Sequence, residues 1–488
     1  MHVQSLAEPA LRQTQFINNE AVKGTGATLT VVNPATEETV ATFAAASPSQ
    51  VDIAVKSARR AFDAGRWSFD SVLRRDCLAK LADLMAYHRE ILMDVLISEI
   101  GTPANLIANH IDSPAEYLRF YAEAATTDRT VDLGVNRAGT GRSKVLYRPV
   151  GVVAAITAYN YPLLLTGGKI GAALSAGCTV VLLSSPLAPL TVRMLGELIR
   201  EAGFPAGVVN IVSGAVEVGK ALTEHRDVDL VSFTGSVAVG REVMKQAAQG
   251  LRGVVLELGG KGPAILLPGT DYERYAFSLN ARYARHAGQG CGSPTRILVE
   301  ESRFEEFVAA TRAIWDKIIV GDPRDKNVIV GPLITKAHRE RVESAIEQAV
   351  ASGARVLCGG GRPDIDKGWF LNPVLLGGID NSARIAREEL FGPVSVVLTY
   401  RTVEEAIAIA NDSDLGLKAY LYGDTDQCER LAPRISAGTV VINNGGGHRP
   451  DAPMCGYRQS GIGSELGEAG ISEYLVTQHI DVSAANSG

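Results

Sequence analysis

The feature that most constrains the fold is a regular alternation of apolar runs and helical segments that begins near Val150. Short apolar runs without polar alternation are typical of strands buried on both faces, whereas apolar residues three and four positions apart indicate helices. This order favours an α/β fold with a parallel, doubly wound, Rossmann-like sheet. The predicted strands span 150–156, 179–183, 208–212 and 228–233, and the predicted helices span 167–176, 190–202, 216–224 and a segment from 237.

A second alternating region extends from about residue 262 to about residue 441. The chain has 488 residues, more than the roughly 250–300 at which one hydrophobic core stops growing, so at least two domains are expected. We therefore predict a second α/β domain after the Rossmann-like one. Its predicted helices span 275–286, 303–318 and 338–352, and its predicted strands span 296–299 and 394–399.

The remaining segments predict surface helices and a small β arm. Apolar spacing indicates helices over 51–62, 74–100 and 105–125, whereas 131–147 has little helical period and 476–482 is typical of an edge strand, an element that usually pairs. We predict a dinucleotide-binding domain of 1–126 and 147–257, a catalytic domain of 258–460, and an oligomerisation arm of 127–146 and 461–488.

Composition argues against several classes of function. The 48 Lys and Arg against 54 Asp and Glu give a net charge of −6 without a basic run, so no nucleic-acid partner is expected. The six cysteines have no paired spacing, which predicts no disulfide framework, no metal site and a cytoplasmic location. No signal peptide is predicted. Between Arg148 and Arg193 only Lys169 is charged, but Asn160 and Pro162 are among the residues that interrupt the stretch, so buried strands explain it better than a membrane span.

Cys291 is a candidate nucleophile because it lies between Gly290 and Gly292. A single cysteine is most often a small buried hydrophobic residue. Flanking glycines, however, give it no neighbouring side chains and let a substrate and a backbone amide approach the sulfur. A free thiol has a pKa near about 8.5, so a working nucleophile needs a nearby base, dipole or cation.

Three further segments supply polar groups for such chemistry. Glu257 precedes Gly259 and Gly260, Asn160 follows the first strand of the Rossmann-like region, and Glu389 stands before a Gly-Pro pair. Each also has an ordinary structural interpretation, as a turn or helix-end residue. A fourth segment, Gly235-Ser236 to Gly240, lies at a strand-to-helix turn where backbone amides could hold a pyrophosphate, although two glycines at such a turn are also common for steric reasons.

Together these segments, in this order, resemble the NAD(P)-dependent aldehyde dehydrogenase superfamily. The resemblance covers about 16–482, and its most specific motifs are 256–261 (Leu-Glu-Leu-Gly-Gly-Lys) and 288–291 (Gly-Gln-Gly-Cys). It implies that Cys291 forms a thiohemiacetal and then a thioester, that Asn160 helps to hold the oxyanion, and that Glu257 activates the hydrolytic water. Lys169 and Glu465 are expected behind these groups. The resemblance also implies cofactor contacts from Ile156, Tyr159, Gly235, Ser236, Gly240, Leu258, Glu389 and Phe391.

The chain departs from the family pattern where the adenosine ribose is usually held. Leu183 and Pro186 stand where a lysine and a glutamate are usual. Both ribose contacts are therefore missing, and we expect use of NAD or NADP, with NAD slightly favoured.

The substrate side departs as well, because Gly167, Gly168 and the run 445–447 stand where bulky groups are frequent. We expect a wide tunnel and a bulky or aromatic aldehyde, unless Tyr161 and Leu164 refill the space. The expected assembly is a homodimer or homotetramer. Two alternatives stay open: a CoA-acylating relative, against which Glu257 speaks, and a member with impaired cofactor binding and a structural or binding role.

Overall fold

The computed structural model describes residues 14–446 and 449–483. Its first sheet has five parallel central strands in the chain order 3-2-1-4-5, as in a doubly wound fold. The predicted α/β class is confirmed. From one edge to the other the eight strands are Glu20–Lys23, Thr14–Ile17, Val209–Ser213, Thr179–Ser184, Val152–Ile156, Leu230–Thr234, Gly253–Glu257 and Gly461–Ile462.

A second, seven-stranded sheet follows and is parallel except at one edge. It carries Cys291 in the loop just before its central strand Pro294–Glu300. Its strands, in spatial order, are Arg355–Gly359, Val374–Gly377, Val394–Tyr400, Pro294–Glu300, Gly262–Leu266, Lys418–Tyr422 and Thr439–Ile442.

The predicted arm forms a separate antiparallel sheet. Gly141–Pro149 lies in its centre, between Val131–Val135 and the C-terminal strand Leu475–Ser483. Three two-stranded ribbons complete the β structure of the described residues. They pair Thr28–Val32 with Thr39–Ala44, Leu415–Gly416 with Tyr457–Arg458, and Met454–Cys455 with Ser464–Glu465.

The helices cover both faces of the two large sheets, and their apolar sides form the cores against the strands. Among the described residues none is long and apolar enough to cross a bilayer. The α-helices span Pro48–Asp63, Arg66–Phe69, Ser71–Tyr87, Arg89–Ile100, Ser113–Ala124, Pro162–Ala176, Leu190–Ala202, Val216–Thr223, Val237–Ala248, Tyr272–Ala284, Phe304–Arg312, Lys336–Ala351, Arg384–Arg387, Val403–Asn411, Thr425–Leu431 and Gly467–Ser472.

The predicted helix 74–100 divides at His88 into Ser71–Tyr87 and Arg89–Ile100. Two further predicted helices are interrupted. The segment 105–125 is a short 3-10 turn, a π-helical turn at Ala108–Asp112 and an α-helix from Ser113. Its start is held by the second sheet's domain, because the Asn105 amide donates to the Val328 carbonyl at 2.7 Å. The predicted helix 303–318 ends at Arg312, and Trp315 packs against Gly359 instead. In both places tertiary contacts override helical spacing.

Candidate active site

The candidate site lies where the first and fourth strands of the Rossmann-like sheet meet. Ile156 ends the first strand, is in register with Phe233 of the fourth, and precedes Tyr159 and Asn160. Glu257 ends the neighbouring fifth strand. Ligands of open α/β sheets bind outside the carboxyl ends of the strands at such a change of direction. The topology therefore brings these residues, distant in sequence, to one edge.

Asn160 is tied to the cysteine loop by hydrogen bonds on both sides. Its side-chain amide donates to the Gln289 carbonyl at 2.9 Å, and its own carbonyl lies 3.1 Å from Nε2 of His286. Gln289 accepts from the Tyr159 hydroxyl at 3.1 Å and from the Ile334 amide at 3.0 Å. The loop before Cys291 and the loop after the first strand are thus held as one unit.

Cys291 is partly exposed at the junction of the two large sheets. Burial raises the pKa of its thiol to about 12, and the charges of Glu389 and Glu257 raise it further, whereas Lys418 lowers it. Gly260 must be small, because a Cβ there would lie 2.3 Å from the Cys291 carbonyl oxygen. In this environment the thiol is protonated near neutral pH and needs a base.

Glu257 is buried with no hydrogen-bond partner on either carboxylate oxygen. Burial raises the pKa of its carboxyl well above the usual range, and the nearby Glu465 charge adds to this, while Lys169 opposes it. A buried unpartnered carboxyl is energetically unfavourable and is typical of a functional group. It can accept a proton at a pH where an ordinary glutamate would not.

Lys169 and Glu465 form a buried ion pair directly behind Glu257. The lysine also donates to the Ser232 hydroxyl at 3.1 Å, and Ser232 lies 3.0 Å from the Tyr474 hydroxyl. Every charged member of this network therefore has a partner. It joins the helix Pro162–Ala176, a Rossmann-like strand and the C-terminal region.

The turn after the fourth strand begins the helix Val237–Ala248. Ser236 caps the helix by accepting from the Val239 amide at 3.3 Å, and the Gly235 amide donates to the Glu257 carbonyl at 3.1 Å. Gly240 is required for packing, because a Cβ there would lie 2.5 Å from Cδ2 of Leu258. The first helical amides point out at the sheet edge, as an anion site requires.

Glu389 lies against the glycine pair Gly259-Gly260 that follows Glu257 and Leu258. Its Oε1 accepts from the Gly260 amide at 2.9 Å, and burial raises the pKa of its carboxyl to about 7. Phe391 follows in a left-handed conformation with φ of 57°, and its ring lies 6.0 Å from that of Tyr159, edge to face. Its carbonyl lies 2.8 Å from Nε2 of His338. Glu389, Phe391 and Tyr159 therefore surround one end of the loop that carries Cys291.

Gly167 and Gly168, two of the glycines on the expected substrate side, face neighbouring side chains. A Cβ on Gly167 would lie 3.0 Å from Cβ of Pro114, and one on Gly168 would touch Cδ2 of Leu466 at 3.6 Å. Both face packed protein, so they give no support to a wide tunnel. Gly447 and His448 lie outside the described residues.

Leu183 fills its strand end with apolar contacts, as its buried side chain belongs to the core beneath the helix Val216–Thr223. A Cβ on Gly219 of that helix would meet Cδ2 of Leu183 at 3.6 Å. At this position, near the strand end that precedes Pro186, the chain therefore offers an apolar side chain and no charged group for the adenosine ribose.

Sequence reasoning missed three residues of this region. Gln289 belongs to the recognised motif, yet its role as the junction between loops appears only from its contacts. His286 holds the Asn160 carbonyl from a left-handed conformation with φ of 53°. Lys261 is buried, and burial lowers the pKa of its amine to about 7, helped by the Arg296 charge. The preceding pair Gly259-Gly260 is the sequence signal that could have suggested a closely packed position for Lys261.

Among the described residues no three histidine, cysteine, aspartate or glutamate side chains are placed to hold a metal ion.

Comparison with known proteins identifies the family. The family model described as "Aldehyde dehydrogenase family" matches residues 21–480. A putative aldehyde dehydrogenase of Bacillus subtilis is 37% identical over 98% of both chains. The crystal structure of betaine aldehyde dehydrogenase from Staphylococcus aureus with NAD+ has a TM-score of 0.94 and 36% identity, covering 100% of both chains. That of aldehyde dehydrogenase C from Pseudomonas syringae, a cysteine-to-alanine variant with NAD+ and octanal, has a TM-score of 0.92 and 36% identity over 97% of both chains. The resemblance inferred from the motifs is confirmed: the chain belongs to the aldehyde dehydrogenase family and is an NAD(P)-dependent aldehyde dehydrogenase.

Proposed function

We propose that Cys291 is the nucleophile that attacks the carbonyl carbon of the aldehyde. The observation that carries this assignment is the partly exposed thiol in a loop that Tyr159 and Asn160 bind from the end of the first Rossmann-like strand, with Glu257 close enough for its charge to act on the thiol. Glu257 is the candidate base, because its raised pKa lets it accept the thiol proton near neutral pH. Attack then gives a thiohemiacetal on the sulfur.

Asn160 and the backbone amide of Cys291 are proposed to hold the oxyanion. One hydrogen of the Asn160 amide is used by the Gln289 carbonyl, which leaves the other free to donate. Removal of one such donor typically costs about 2.7–4 kcal/mol in the transition state. His286, bonded to the Asn160 carbonyl, fixes the amide from behind.

The residues of the Rossmann-like edge fit a dinucleotide. The amides at the start of Val237–Ala248 suit its pyrophosphate, with Gly235, Ser236 and Gly240 shaping the turn and Leu258 and Ile156 as its apolar walls. Glu389, Phe391 and Tyr159 are proposed to hold the nicotinamide end. When bound, NAD(P)+ accepts the hydride of the oxidation.

Glu257 is further proposed to deprotonate the water that hydrolyses the resulting thioester to the acid. Lys169 and Glu465 are positioning residues for this step, since their ion pair lies behind Glu257 and their charges act on its pKa. Hydrolysis by water, and not transfer to CoA, is favoured by the presence of this buried base.

Cofactor preference and substrate size remain predictions. The uncharged strand end at Leu183 supports use of both cofactors, with NAD slightly favoured. A bulky or aromatic aldehyde stays an expectation that Gly167 and Gly168 no longer support.

We propose the domain division 1–126 with 147–257, 258–460, and 127–146 with 461–488. The exposed apolar residues Val131, Leu133 and Val135 on the arm support a homodimer or homotetramer. Six free cysteines support a cytoplasmic location.

The test is oxidation of an aldehyde by the purified protein, followed by the absorbance of the reduced nicotinamide. Cys291→Ala is expected to lower turnover by at least about 10⁴-fold. Cys455→Ser is the matched control, because that thiol is also partly exposed and near Glu257, and it should retain activity within about threefold. Substantial turnover by Cys291→Ala contradicts the assignment.

A further inference from the structure

One wall beside the catalytic cysteine is formed by a lysine stem. Lys418 begins the strand Lys418–Tyr422, and its side chain lies over Gly292, the residue after Cys291. A Cβ on Gly292 would be 3.2 Å from Cδ of Lys418 and 3.5 Å from its Cε. The glycine next to the cysteine thus makes room for this lysine.

A second cation lies on the same wall. Side chains two positions apart share a face of a strand, so Tyr420 follows Lys418 there, and its hydroxyl donates to the Gly292 carbonyl at 2.5 Å. The Arg282 guanidinium lies over the Tyr420 ring, 5.2 Å from its centroid. Nε of Arg282 is buried without a hydrogen-bond partner.

Neither Lys418 nor Arg282 has an ion-pair partner within 4.0 Å in the described part of the chain. The pKa of Lys418 is lowered by burial and by the Arg282 charge, and only a Cys291 thiolate would raise it. The carboxyls Glu257 and Glu389 act on Cys291 but not on Lys418.

Two like charges held close together on a partly buried wall are unfavourable unless an anion joins them. The wall lies against Gly292, the residue after the cysteine whose sulfur receives the aldehyde carbon. We propose that the aldehyde substrate carries a carboxylate, which binds to Lys418 and Arg282 while its carbonyl carbon reaches Cys291. This inference rests on the proposed function, since it names the substrate class of the same site.

Lys418 could instead act only on the thiol, because its charge also lowers the pKa of Cys291. The two roles differ in one measurable respect. A lysine that activates the thiol helps every aldehyde equally, whereas one that binds a carboxylate helps only substrates that carry one. The ratio of kcat/KM between matched substrates therefore separates them.

The experiment compares unbranched ω-oxo acids of four to seven carbon atoms with the n-alkanals of equal length, and 4-carboxybenzaldehyde with 4-methylbenzaldehyde. The wild-type enzyme should favour the acids by about 10- to 100-fold in kcat/KM at the chain length that spans the wall. Lys418→Met should lower that ratio by about tenfold or more, mainly through KM, and Lys418→Arg should restore much of it. Lys336→Met, an exposed lysine of the same sheet's domain, is the matched control and should leave the ratio unchanged.

A second measurement needs no variant. Succinate should inhibit the wild-type enzyme competitively with the aldehyde, about tenfold more tightly than butyramide, which has the same chain length and no carboxylate. Equal inhibition, a preference for alkanals at every length, or a Lys418→Met variant that slows both substrate series equally would overturn the inference while the dehydrogenase assignment stands. Failure of the wild-type protein to oxidise any aldehyde of the panel would instead overturn the proposed function.

Discussion

Two neighbouring regions of the site hold buried charge in opposite ways. In the network behind the site, Lys169 and Glu465 are paired, and Ser232 and Tyr474 satisfy the remaining polar atoms. In front of it, Glu257 has both oxygens without partners. The paired region is a support whose members stabilise each other, and the unpaired carboxyl is the group left available for proton transfer.

The largest effect is expected when the ion pair Lys169–Glu465 loses one partner. Lys169→Met leaves Glu465 as a lone buried charge and should destabilise the protein by about 3–5 kcal/mol. Denaturant unfolding at neutral pH measures the change.

The matched control replaces both partners. Lys169→Met combined with Glu465→Leu removes both charges and should recover most of the lost stability, because buried ion pairs can often be exchanged for apolar residues. If the single variant is as stable as the wild type, the pair does not support the fold as argued.

Substitution of the unpaired carboxyl, Glu257, should change the dehydrogenase activity. Glu257→Gln should lower steady turnover by about 10²–10³-fold, because the amide cannot deprotonate water. The burst of reduced cofactor in the first turnover should fall as well, because Glu257 is also the proposed base for the Cys291 thiol. Rapid-mixing absorbance separates burst from turnover, and a burst that survives in full would limit Glu257 to activation of the water.

The same variant should stabilise the protein. The pKa of Glu257 is raised in the folded state, so its contribution is fully present below the unfolded pKa of about 4.5 and is lost as the pH rises through the folded pKa. Glu257→Gln has no ionisable group at this position and lacks this loss. The free energy of unfolding of the variant should therefore exceed that of the wild type by an amount that grows with pH to about 1–3 kcal/mol near pH 8. Thermal unfolding from pH 5 to pH 8 checks it, and a constant difference would contradict the pKa argument.

The smallest expected effect concerns the uncharged strand end beyond both regions. With Leu183 and Pro186 in place, kcat/KM for NAD and NADP should differ by less than about tenfold. Pro186→Glu should add a ribose contact, strengthening NAD and weakening NADP by repulsion of the 2′-phosphate. No change for either cofactor would mean that this strand end does not approach the adenosine.

Much of the fold could be predicted because periodicity is a local property. The helix predicted over 190–202 is observed as Leu190–Ala202, and the strand predicted over 394–399 as Val394–Tyr400. The failures at 105–125 and 303–318 come from contacts with residues far along the chain, such as Val328 and Gly359, which no local pattern contains.

The site shows the same division. Cys291 and Glu257 could be proposed from their glycine-rich settings, and Asn160 from its place after a predicted strand. The direction of a glycine's missing side chain has no sequence signal, and only the structure shows that the Cβ position of Gly168 faces Leu466. Lys418 was missed because its contact with Gly292 joins residues far apart in the chain, and no sequence pattern around Lys418 indicates that contact.

The strand Gly461–Ile462 joins the edge of the first sheet beside Glu257, and Ser460 donates to the Gly259 carbonyl at 2.7 Å. These residues and Glu465 come later in the chain than nearly everything they support. A growing chain can form its Rossmann-like strands before residue 460 is made, but Lys169 then has no Glu465 and the sheet edge beside Glu257 has no partner strand. The support behind Glu257 is therefore complete only after residues 461–465 have been synthesised.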